Sequence, residues 1–158
     1  MRKNQNYNGA VVLGLNDALV ELSGALVGLS FALTEAKTIA TVGLITGFAA
    51  ALSMATSEYL SAKEEKNKKP VKAAAYTGIA YVLAVILLVA PYFIFSNIYL
   101  STGIMFSLVI LTIVSYTKYT SKLNKTSFKT KFLEMLTITL TVSIISFLFG
   151  ILVKNLII

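Results

Sequence analysis

Residues 10–33 read AVVLGLNDALVELSGALVGLSFAL, an apolar run interrupted by two carboxylates, Asp17 and Glu21. About 20 apolar residues in a helix cross the roughly 30 Å hydrocarbon core of a bilayer. An acidic residue at mid-helix costs about 2.5–3.5 kcal/mol on insertion scales, so the default reading of an intramembrane carboxylate is an ion or proton pathway. The stretch decides the fold class because one segment must both cross the membrane and carry charge through it. It reads as a retained span, since Asp17 and Glu21 would interrupt the apolar core of a cleavable signal sequence.

Outward from this segment, apolar runs predict four more spans, at 38–62, 71–95, 98–116 and 132–153. Strand-like alternation is absent, which leaves helices as the spanning form. The predicted fold class is all-α: a polytopic membrane protein, one five-helix transmembrane bundle over residues 1–158. Composition agrees, with 56% of residues hydrophobic and 13% charged, where a soluble domain carries nearer 25% charge. Pro70 suits the first turn of the third span, and Pro91 is expected to kink or end it.

The chain has no cysteine and no histidine. Disulfides, thiolate sites and the usual zinc ligand are thereby excluded, and any metal must be held by oxygen, with at most a methionine thioether. No nucleophile–base pair suggests an enzyme. The net charge of +7 is concentrated: ten of the fourteen basic residues fall in two short stretches, Lys63, Lys66, Lys68, Lys69 and Lys72, then Lys118, Lys122, Lys125, Lys129 and Lys131. With Arg2 and Lys3 they mark one side of the membrane, against only Lys37 and Lys154 on the other. The positive-inside rule puts the N-terminus and both lysine stretches in the cytoplasm and the C-terminus outside. Charge so placed is a topology signal beside a lipid bilayer, and no nucleic-acid partner is expected.

At 100° per residue, Gly14, Asp17, Glu21, Gly24 and Gly28 fall within roughly 80° of arc on the first span. Gly24 and Gly28 form a GxxxG pair that admits a close helix neighbour. The second span carries a matching stripe of Gly43, Gly47, Ala50, Met54, Glu58, Ser61 and Glu65. If the two spans are antiparallel neighbours, Asp17 and Met54 lie at similar depth, ~10–12 Å from the cytoplasmic surface, with Glu21 deeper and Glu58 shallower. Asp17, Glu21, Met54 and Glu58 are thus the candidate metal ligands, Glu64 and Glu65 a possible cytosolic entry. Gly14, Gly24, Gly28, Gly43 and Gly47 are the candidate packing or dimer-interface residues. Carboxylates with a thioether suit Fe²⁺ or Mn²⁺, and partly desolvated carboxylates can exchange protons for metal. Each residue also has a plainer role. Met54 can fill a packing gap, Glu58 can snorkel, and Asp17 and Glu21 can bond to hydroxyls of a neighbouring helix. Glu64 and Glu65 can belong to a solvated charge run with Lys63 and Lys66, and the tyrosines and phenylalanines read as interface anchors and lipid-facing bulk.

Asn16-Asp17-Ala18-Leu19, taken with Ser53-Met54-Ala55-Thr56-Ser57-Glu58-Tyr59-Leu60-Ser61, resembles the vacuolar iron transporter family over about residues 11–65. The resemblance implies a homodimer with a metal path between its first helices, and export or sequestration of cytosolic Fe²⁺ or Mn²⁺ against protons. Asp17 matches the family's aspartate of the first span and Met54 its methionine of the second. The chain departs at three points: Ala18 follows the aspartate where many members have glycine, and Thr46 stands where better-known members carry a glutamate two turns before the methionine. Their long acidic cytosolic helices are reduced to a loop of roughly ten residues.

The expected function is therefore divalent-metal transport by proton antiport, with Fe²⁺ or Mn²⁺ as substrate and no resident cofactor. The expected location is a cell membrane in a prokaryote or an organelle membrane in a eukaryote. The alternative is a membrane scaffold or partner subunit whose carboxylates are structural.

Overall fold

A computed structural model describes residues 7–67 and 69–157; the topology signals Arg2, Lys3 and Lys68 lie outside the described residues. Five helices are long and apolar enough to cross a membrane: Asn8–Ala32, Ala36–Glu64, Pro70–Ile94, Ile98–Leu123 and Phe128–Leu156. Among the described residues there is no strand. The chain is a multi-pass, all-helical membrane bundle, because a backbone in hydrocarbon must satisfy its own hydrogen bonds.

The helices outrun the apolar stretches at their lysine-bearing ends. The fourth helix continues to Asn124 and the fifth begins at Phe128, so much of the second lysine stretch is helical. Apolar lysine stems let a helix run into the headgroup zone while its ammonium groups stay wet. The turn between them is closed by Lys125 in the left-handed conformation, φ 52°. Pro70 opens the third helix and Pro91 lies inside it, the helix continuing to Ile94. The Pro91 carbonyl accepts a bond from Ser101 Oγ at 3.1 Å, which ties the third span to the fourth.

Packing follows glycine and hydroxyl positions. The second and third spans share the most extensive contact, and the first span is divided between two neighbours. Its N-terminal half, Asn8–Asp17, packs on the third span, and its C-terminal half, Ser23–Ala32, packs on the fifth. Gly14 lies so close to the Thr77 carbonyl that no side chain fits there, and Thr77 Oγ1 donates to the Ala10 carbonyl at 3.0 Å. On the other side, Gly150 abuts the Gly28 carbonyl, and a Cβ on Gly28 would meet the Ser146 carbonyl at 2.8 Å. Phe31 and Phe147 meet edge-to-face at 4.4 Å just beyond. Further along, Tyr92 joins three spans: its hydroxyl lies 3.0 Å from Ser30 Oγ of the first and 3.0 Å from Thr102 Oγ1 of the fourth.

Between its two halves the first span makes a π-helical turn, Ala18–Leu22. A π turn accommodates one more residue than an α turn, so the register beyond it is offset by roughly 100°. The single stripe expected from Gly14 to Gly28 assumes unbroken α periodicity. The structure instead turns Gly14 to the third span and Gly24 and Gly28 to the fifth.

These close approaches make size-sensitive sites. Gly150→Val should lower stability by about 1–3 kcal/mol or prevent assembly, because it drives methyl groups into the first-span backbone. Gly103→Ala, where a Cβ meets nothing within 4 Å, should leave the thermal unfolding temperature in detergent unchanged. Equal behaviour of the two variants would refute this packing.

Candidate metal path

The π turn lies where the carboxylates are. Asp17 is the residue before it and Glu21 is within it. The two carboxyl groups lie one helical turn apart, near enough to interact electrostatically. Asp17 is half-buried, and Glu21 is exposed on the flank of the bundle.

The third span supplies the partner of Glu21. Tyr81, fully buried, donates its hydroxyl to Glu21 Oε2 at 2.9 Å. A phenol needs a polar partner once buried, and a carboxylate accepts a charge-assisted bond of roughly twice the ordinary strength. The reading of the tyrosines as interface anchors is corrected here for Tyr81 and Tyr92, both fully buried. Position along the helix carried the signal: Tyr81 is near the middle of Pro70–Ile94, far from either interface where anchoring aromatics sit.

Glu21 and Tyr81 line a groove of about 570 Å³ between the first, second and fifth spans. The first span contributes Ala25 and Gly28, the second Thr46, Gly47 and Ala50, and the fifth Ser146 and Gly150. Thr46 returns its hydroxyl to the Val42 carbonyl at 2.8 Å, and among the described residues Glu21 is the only carboxylate in that lining.

The second-span residues are arranged differently from a tight neighbour of the first. Gly43 packs against Leu26 and Val89, and Gly47 against Val85, so the second span leans mainly on the third. Met54 is half-buried against the central core, and Glu58 is half-buried nearer the lysine-rich end. By helical rise, Met54 is ~15 Å from Glu64 and Asp17 ~14 Å from Asn8, so the two remain at matching depth. Glu64 and Glu65 are exposed where the helix ends, with Lys66 left-handed beside them at φ 55°. Among the described residues no three acidic, histidine or cysteine side chains converge on one point. One chain thus presents a carboxyl pair with a buried phenol, while Met54 and Glu58 stand on a separate helix.

No curated protein matches the chain. The model of the VIT family matches residues 8–68, the first two spans and the turn after them. This interval contains every carboxylate and the methionine described above. Over these two spans the chain is similar to the VIT family.

Proposed function

We propose that the protein exports or sequesters cytosolic Fe²⁺ or Mn²⁺ in exchange for protons, acting as a homodimer. The observation that carries this reading is the placement of Asp17 and Glu21 one turn apart at the π turn of the first span, with Glu21 held by the Tyr81 hydroxyl. Metal binding needs deprotonated carboxylate oxygens, so a cation arriving at two neighbouring carboxyl groups exchanges with any proton they carry. The exchange is the chemical basis of antiport.

A single chain offers too few oxygens for a first-row ion, which takes about four to six ligands. A second copy, related by a two-fold axis along the first span, doubles the pair and adds a second Met54. Glu21 is exposed in the single chain, which suits a position at such an axis. Met54 favours a softer ion over Mg²⁺ or Ca²⁺, and Glu58, Glu64 and Glu65 lead from the cytosolic surface toward it.

In proteoliposomes, Asp17→Asn should reduce Fe²⁺ or Mn²⁺ flux at least tenfold, by removing both a charge and an exchangeable proton. Met54→Ala should shift preference away from the softer ion. Full flux in Asp17→Asn would eliminate the proposed path. Failure of both variants to fold, with no flux in the parent protein, would favour the scaffold alternative.

Tyr81→Phe tests the second element of the site. It keeps the ring and loses only the hydroxyl, so folding should persist while metal affinity falls about ten- to hundredfold, as when an outer partner of a metal ligand is removed. Titration of Mn²⁺ binding checks this, and an unchanged affinity would assign Tyr81 to packing alone.

A further inference from the structure

A second groove, of about 480 Å³, runs between the second and third spans. The described residues that line it are all alanine, valine, leucine, isoleucine or glycine. Small residues make its floor. Gly78 brings the third span so near the second that an added Cβ would meet the Ala55 Cβ at 3.1 Å, and Ala51 and Ala74 extend the same surface. Larger side chains make its rims: Leu52, Val71, Ile79 and Leu83, each more than half exposed.

The groove follows the third span from Val71 to Leu83. That is ~18 Å by helical rise, close to the ~15 Å that one leaflet contributes to the hydrocarbon core. Its shallow end opens among lysines. Lys72 stands seven residues before Ile79, two turns away and within roughly 20° of arc. Lys63 stands eleven residues after Leu52, three turns away and equally close in phase. Lys69 is beside them, its carbonyl accepting the Lys72 N–H at 3.1 Å. All three lysines are exposed, at the end that the positive-inside rule puts in the cytoplasm.

These two features select one kind of occupant. The trough takes hydrocarbon and the lysines at its mouth take negative charge, so the ligand that satisfies both is an amphiphile with an anionic head. A second copy of this chain fits worse on both counts. Spread along ~18 Å, the groove is narrower than a helix of 10–12 Å diameter. A copy inserted in the same orientation would also bring its own lysines to the same level, like charge against like. A zwitterionic lipid fills the trough equally but brings no net charge to the lysines. Basic sites between helices at the cytosolic face hold anionic headgroups.

We propose that this groove binds one anionic phospholipid of the cytosolic leaflet. An acyl chain lies between the second and third spans, and the headgroup phosphate pairs with Lys69 and Lys72, with Lys63 across the groove mouth. The bound lipid ties the cytosolic end of the second span to that of the third. The site is separate from the carboxylates of the first span and does not depend on metal transport.

The test uses the full chain in nanodiscs and a phosphatidylglycerol carrying a diazirine midway along one acyl chain. A phosphatidylcholine with identical chains is the comparison. After irradiation, cross-links from the anionic probe should concentrate on Ala75 and Ile79, above those on Leu111 and Leu148, which are exposed on the fourth and fifth spans. Lys69→Gln with Lys72→Gln should lower groove labelling about tenfold, to the level of the choline probe. Ala75→Leu, which fills the trough from an exposed position, should lower labelling at Ile79 as far with the lysines intact. Both variants alter exposed side chains, so the unfolding temperature in detergent should hold. Groove labelling equal for the two probes, or untouched by either variant, would overturn the proposal. Labelling no higher than at Leu111 and Leu148 would reduce the groove to bulk lipid contact and overturn it too. Protection of Ala75 and Ile79 from both probes would mean that protein covers the groove, with the same consequence.

Discussion

The bundle depends on two contacts in which one helix backbone touches another with no side chain between them. At Gly14 the first span rests on a third-span carbonyl, and at Gly28 it meets Gly150 of the fifth. In hydrocarbon, where apolar side chains gain little by leaving lipid for protein, such approaches supply the packing and dispersion energy that holds helices together. They also fix the first span from two directions and leave its remaining flank uncovered. Glu21 lies beside that flank, within reach of Tyr81.

Sequence patterns and the structure agree best where a single local signal decides the outcome. Apolar run length identified all five spans, and the VIT match covers the two segments whose motifs suggested it. The ends of the fourth and fifth helices were less legible, because lysines were counted as loop when their apolar stems extend a helix into the headgroup layer. The packing partner of each glycine was not legible either. A GxxxG pair announces a close neighbour without naming it, and here the neighbour of Gly24 and Gly28 is 120 residues further along the chain.

The candidate site was legible in its acids and opaque in its surroundings. Asp17 and Glu21 could be singled out because charge inside an apolar run is conspicuous. Tyr81 could not be weighed the same way, since tyrosine is common in spans and only its depth distinguishes it. Its role depends on the third span lying against the first, a tertiary fact produced by Gly14 and Thr77.

The π turn gives the first span a phase as well as a sequence. Its N-terminal half is registered to one neighbour and its C-terminal half to another, and the two registers are reconciled by a single additional residue within Ala18–Leu22. Chain length across this segment is therefore as constrained as composition. Substitutions there change what the turn carries, whereas one residue gained or lost would rotate every contact beyond it by roughly a quarter turn. Gly28 would then face lipid, and the span could fit its third-span neighbour or its fifth, but not both at once.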